Sequence, residues 1–148
     1  MSDNLISILE KSKLFQGFSP EQMEQIVSHM HPKIMTLNSG DILYKRGKSA
    51  DRCWLIQSGQ LILKRLSLRT PFRQMFYHTG AVTGIQGLVE PGTQRVVTMI
   101  AEGQVKLIEI THEGISRLDK KVQIQLWKNI SKLLLGKLSV CLSQESSP

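Results

Sequence analysis

The stretch that decides the reading runs Gly80-Ala-Val-Thr-Gly84-Ile-Gln-Gly87-Leu-Val-Glu-Pro-Gly92-Thr-Gln-Arg95-Val-Val-Thr-Met-Ile-Ala101. Glycines fall at Gly80, Gly84, Gly87 and Gly92, and Arg95 is the one basic residue among them. Glycine has no Cβ, so the backbone turns tightly and its N–H groups approach an anion closely. Successive N–H groups in such turns form a concave anion site. Arginine adds a planar fork that matches phosphate or carboxylate. The physical expectation is a loop with one helical turn that cradles such a group. The plainer alternative is a turn-rich connection between strands with Arg95 in solvent, because glycine-rich loops are common.

Outward from this loop, the flanking chain alternates. Upstream, Ile34 to Asn38 alternates and then turns at Ser39-Gly40-Asp41. Ile42-Leu43-Tyr44, Cys53-Trp54-Leu55-Ile56 and Leu61 to Leu66 read as short strands, separated by turns at Lys45–Asp51 and Gln57–Gln60; Phe72 to Tyr77 continues the series. Downstream, Arg95 to Ile100 and Gln104 to Ile110 read as two strands joined by Glu102-Gly103. Short strands at such spacing, closed by glycine turns, predict an antiparallel barrel or sandwich over residues 34–110.

Helices are expected on both sides. Asn4 to Lys11 is amphipathic, and Ser19-Pro20-Glu21-Gln22 is a helix start with a cap, a first-turn proline and a capping box. Met23, Ile26, Val27 and Met30 follow at helical spacing, and Pro32 ends that helix. Thr111 caps a short helix, and Asp119 caps a longer one reaching about Leu142. On the longer one Val122, Leu126, Trp127, Ile130, Leu133, Leu134, Leu138 and Cys141 make an apolar face wider than one seam requires. It packs on its own domain or pairs with a second copy. The polar tail begins at Ser143.

Composition bounds the function. The chain has 148 residues, 41% hydrophobic and 21% charged, as in a single soluble globular domain. Lys+Arg 19 against Asp+Glu 12 gives a net charge of +7, but the basic residues are dispersed and aromatics are only 5%, so a nucleic-acid stripe is not visible. Cys53 and Cys141 lie in apolar surroundings outside any Cys/His cluster, which fits a reducing cytoplasm. The N-terminus lacks the pattern of a signal peptide, and no apolar run is long enough for a bilayer. His29, His31, His78 and His112 form no catalytic or metal-ligating set with acids or cysteines, so no enzyme is expected.

Helix, glycine-punctuated β region and long helix together resemble the cyclic-nucleotide-binding domain of the catabolite-activator and kinase-regulatory-subunit families. The resemblance covers nearly the whole chain. It rests on Gly40, Gly47 and Gly59 in the β turns, on Asp51 and Trp54-Leu55-Ile56, and on a cassette in which Gly84, Gly87, Leu88 and Arg95 match a Gly-Glu-x-Gly/Ala-Leu … Arg core. It implies an antiparallel β-roll or jelly-roll barrel (a double-stranded β-helix) with N-terminal helices and a long C-terminal helix. The implied organisation is one domain over 1–143, with helices at 1–33, the β-roll at 34–110, helices at 111–143, a tail at 144–148 and no helix-turn-helix.

The resemblance also implies a non-enzymatic regulatory module. Its ligand is cAMP, cGMP or another anionic small molecule, held by Gly84, Ile85, Gln86, Gly87, Arg95 and Val96. Trp127, with Asn129 or Ser131, closes over the ligand from the long helix. Four positions depart from the family pattern, with Ala81 and Thr83 in place of the usual acidic and aromatic residues before the cassette glycine. Ile85 replaces the glutamate that accepts from the ribose 2′-OH, and Val96 replaces a small polar contact to the phosphate. One charged hydrogen bond is worth roughly 1.5–3 kcal/mol, so nucleotide binding is expected to be weak. The alternatives are a ligand-free docking or dimerisation domain that uses the long helix, and a fragment of a transcriptional regulator without its DNA-binding part. A homodimer or a protein partner is expected, with no membrane and no direct nucleic-acid contact.

Overall fold

The computed structural model describes residues 2–64 and 76–145. Helix α1 spans Ser2–Glu10, a 3-10 turn spans Lys13–Phe15, and α2 spans Pro20–Met30. The expected capping box is formed: Gln22 N–H donates to Ser19 Oγ at 3.2 Å, and Ser19 N–H donates to Gln22 Oε1 at 2.9 Å. Six strands follow, β1 Lys33–Leu37, β2 Ile42–Tyr44, β3 Arg52–Lys64, β4 Phe76–Tyr77, β5 Val82–Thr83 and β6 Thr98–Thr111. Helix α3, Gln86–Val89, lies between β5 and β6. Helices α4, His112–Ser116, and α5, Lys120–Glu145, complete the chain.

All six strands belong to one antiparallel sheet. Strands β3 and β6 pair along their length, from Arg52↔Thr111 to Lys64↔Thr98. The short strands take the outer edges, β1 and β2 on β6, β4 and β5 on β3. The expected closure into a barrel is therefore corrected. Among the described residues no ladder joins the two outer edges, and only an isolated bridge between Ser49 and Gln94 links their connecting loops.

A second correction concerns the turns read at Gln57–Gln60 and Glu102-Gly103. Both β3 and β6 run through them as single strands. Gly59 takes φ +90° and the pairing register shifts on either side of Ser58, so the strand bends without breaking. Gly40 and Gly47 do turn the chain, at φ +89° and +87°. The expected strand ends at 65–66 and 72–75 lie outside the described residues.

Two apolar clusters hold the layers together. One joins α1, α2, α4, α5 and one half of the sheet through Leu9, Met23, Ile26, Leu55, Ile108, Leu126 and Ile130. The other fills the bend of the sheet with Trp54, Ile56, Leu61, Met99, Val105 and Leu107. Helix α5 runs to Glu145, past the Leu142 at which its apolar pattern suggests an end. Its first half is anchored by Asn129, whose amide donates to Leu14 O and Gln16 O at 2.9 Å each.

Candidate functional site

The loop between β5 and β6 folds back on the loop between β2 and β3. Arg95 N–H donates to Lys48 O and Gly47 N–H donates to Arg95 O, both at 2.7 Å. Ala50 N–H to Thr93 O and Gly92 N–H to Ala50 O continue the lacing at 2.8 Å. These backbone bonds fix Arg95 at the edge of the sheet and turn its side chain inward.

Arg95 is only 4% exposed. One guanidinium nitrogen donates to Gly84 O at 2.9 Å and another to Arg52 O at 2.6 Å. The plane lies over the Tyr44 ring, with Cζ 4.5 Å from its centroid, and 5.3 Å from that of Trp54. Tyr44 and Trp54 stack on each other with centroids 5.4 Å apart. Aromatic faces attract a cation, and that attraction grows as water is excluded. No acidic side chain makes an ion pair with Arg95 among the described residues. Burial holds its pKa below the ordinary value. The plainer alternative, a turn-rich connection with Arg95 in solvent, does not hold. The arginine is buried, and it bridges the backbone at the start of β3 and the loop after β5.

The aromatic pair has its own supports. Tyr44 Oη and the buried Thr83 Oγ1 share a hydrogen bond at 2.9 Å, and burial raises the Tyr44 pKa. Trp54 Nε1–H donates to Glu109 at 3.2 Å. Glu109 also faces Arg52 at 3.3 Å, and Arg52 forks onto Asp51 at 2.6 and 3.0 Å. The Arg52 guanidinium keeps the Asp51 carboxyl below the usual carboxylate range. Tyr44, Thr83 and Arg52 escaped the sequence reading as site residues. The available signal was the scarcity of aromatics on strands β2 and β3, next to a single arginine that needs partners.

The other cassette residues take distinct places. Gly84 has φ +81°, and a Cβ there would meet Arg95 and Trp54 at 3.0 Å. Ile85 is 3% exposed and belongs to the core with Val82 and Leu88. Gln86 turns to the loop, where its amide donates to Gln94 O at 3.2 Å. Gly87 packs flat on β3; a Cβ would stand 2.6 Å from Arg52 O, and its N–H already donates to Gly84 O at 3.0 Å. Val96 is 70% exposed, away from Arg95's inward side.

The long helix reaches the cassette indirectly. Trp127 packs on the core and lies 6.5 Å from the His112 ring, centroid to centroid. His112 Nδ1–H donates to Leu88 O at 3.0 Å, at the end of α3. Asn129 is buried on the Lys13–Phe15 turn, and Ser131 Oγ–H donates to Trp127 O at 2.9 Å, so these two are engaged elsewhere. Further along α5, Lys137 Nζ donates to Val82 O at 3.3 Å and sits 5.6 Å over the Tyr77 ring. Desolvation lowers its pKa.

This fold, with its cassette and long helix, defines the class. The family profile described as the cyclic nucleotide-binding domain matches residues 34–121, and the chain belongs to that family. Among solved structures it is similar to a cyclic nucleotide-binding-like protein from Brucella abortus, at 26% identity and TM-score 0.63 over 78% of this chain and 97% of that one. It is also similar in fold to the catabolite activator protein of Thermus thermophilus, at 22% identity and TM-score 0.75 over 90% of this chain. The regulatory domain of Toxoplasma gondii PKA, solved with cAMP, aligns at 19% identity and TM-score 0.70 over 88% of this chain. The chain spans 61% and 50% of those last two chains. No curated protein sequence matches it significantly. The fold is one typical of regulators. No helix among the described residues is long and apolar enough to cross a membrane.

Proposed function

We propose that this chain is a non-enzymatic regulatory module that responds to a small anion at its cassette and holds cAMP or cGMP only weakly. The observation that carries the reading is the Arg95 guanidinium, 4% exposed and without an acidic partner among the described residues. A buried cation lacking a counter-charge is costly, and an anion that reaches it recovers part of that cost. Guanidinium has five donors, and the two carbonyls leave others for an oxyanion. The weakness has two causes. Ile85 is buried and offers no acceptor to a ribose hydroxyl, and an incoming phosphate competes with Gly84 O and Arg52 O. Because Arg95 holds Gly84, and Leu88 leads through His112 to Trp127, displacement at the cassette bears on α5. A ligand that favours one helix position is what a switch needs.

Calorimetric titration with cAMP and cGMP tests this, with Arg95→Gln as the control and circular dichroism to establish its fold. The expected result is dissociation constants of tens of micromolar or weaker, with no binding to the folded variant. Absence of heat with both nucleotides removes them as ligands; binding that survives in the variant removes Arg95 from the site.

A second reading is favoured by the far half of α5, where Leu134, Leu135 and Leu138 are 40%, 62% and 54% exposed. It makes the module a dimerisation element, with this face covered by a second copy. The two readings are compatible, since α5 is also the element tied to the cassette.

A further inference from the structure

Arg95 also lines a pocket to which neither α3 nor α5 contributes. The pocket holds about 320 Å3 and opens beside the loop between β2 and β3. That volume is at the lower end for small-molecule sites. Its apolar wall is Ile42, Leu43, Tyr44 and Trp54, and its cations are Lys45, Lys48, Arg52 and Arg95. The sole acid lining it, Asp51, is already forked by Arg52. Lys45 and Lys48 are exposed and have no ion pair among the described residues. Three positive charges therefore remain unmatched around one concavity with an apolar side.

We propose that this pocket is a second ligand site, which takes a phosphate monoester carrying a compact apolar group. The phosphate sits between Lys45 and Lys48 with Arg95 at its back, and the apolar group lies against Ile42 and the edge of the aromatic pair. A phosphate dianion suits clustered cations better than a monoanionic carboxylate does, because each added charge gains from every cation in reach. The site shares Arg95 with the cassette but draws on residues that the cassette does not use.

Trp54 and Trp127 are the two tryptophans of the chain, so Trp127→Phe leaves Trp54 as the sole indole reporter. In that background, phenyl phosphate should change Trp54 emission saturably, and at least threefold more tightly than inorganic phosphate does. Phenol should give no saturable change. Lys45→Glu with Lys48→Glu should raise the half-saturation point at least tenfold while leaving the melting temperature nearly unchanged. Their exposure makes misfolding no obstacle, and Lys45→Gln with Lys48→Gln serves as a milder pair. No saturable change, equal affinity for phenyl and inorganic phosphate, or an unshifted titration in both variants overturns the proposal. The cassette is read separately by cAMP calorimetry on the Lys45/Lys48 variants. Loss of the phenyl phosphate response with intact nucleotide heat counts against the Arg95 cassette in no way, and the reverse result spares this pocket.

Discussion

Arg95 donates to two backbone carbonyls and lies over two aromatic rings, so its removal takes the charged donor from Arg52 O and from Gly84 O, which then keeps only the Gly87 N–H. Hydrogen bonds from a charged donor are worth roughly 1.5–3 kcal/mol each and are not additive. Arg95→Ala should therefore cost about 3 kcal/mol without any ligand present, measured by urea denaturation. An unchanged midpoint would show that the guanidinium contributes nothing to the free fold. Cys53 gives a second prediction at this scale. Its thiol is fully buried, and burial pushes its pKa from 9.0 up to about 12. The unfolded chain loses this proton near pH 9 while the folded chain keeps it. The stability linked to Cys53 is thus whole below pH 9 and drains away as pH rises towards 12, by roughly 4 kcal/mol at most. Tyr44, raised from 10.0, adds to the loss above that value, while Lys137, lowered from 10.5, opposes it at lower pH. The difference between wild type and Cys53→Ala isolates the thiol. Parallel pH–stability curves from pH 8.5 to 11 would refute its assignment.

At the scale of elements, the cassette helix is held by close approach rather than by its own length. Helix α3 has four residues, too few to be stable alone. Gly87 lets it lie directly on β3, with Arg52's backbone where a side chain would otherwise be. A Cβ at that point meets only backbone, Arg52 N, Arg52 O and Asp51 N, and backbone cannot rotate away as a side chain does. Gly87→Ala should push α3 off β3 and cost about 2 kcal/mol, in the range of overpacked cores. Hydrogen exchange should show the loss concentrated at Leu88 and Val89, whose N–H groups donate to Ile85 O. A uniform change across the sheet would place the strain elsewhere.

At the scale of the molecule, α5 has two different halves. Val122, Leu126 and Ile130 are buried against the domain, whereas Leu134, Leu135 and Leu138 face outward. Lys137 lies among these last three in sequence and still reaches back to Val82 O, so the exposed leucines lie within about a turn of a residue bonded to β5. Leu135→Glu with Leu138→Glu should convert a dimer to a monomer in sedimentation equilibrium and leave the melting transition of the monomer intact. A wild-type chain that is monomeric at hundreds of micromolar would defeat the pairing of this face with a second copy.

What the sequence by itself determined is local. The Ser19–Gln22 capping box, the Asp119 cap on Val122 N–H and the positive-φ turns at Gly40 and Gly47 each depend on residues within a few positions of one another. So does the helix–sheet–helix order, and with it the family to which the chain belongs. The tertiary structure decided what is not local. Arg95 finds its acceptors 11 and 43 residues away, and Tyr44 meets Thr83 across 39. A pattern of types along a chain marks an arginine near glycines, but not whether carbonyls or a ligand will occupy its donors. That choice is made by backbones brought together when the loops on either side of β3 and β6 are laced. The open sheet follows the same logic. Gly59 reads as a turn in isolation, yet pairing with β6 on both sides carries the strand through it as a bend.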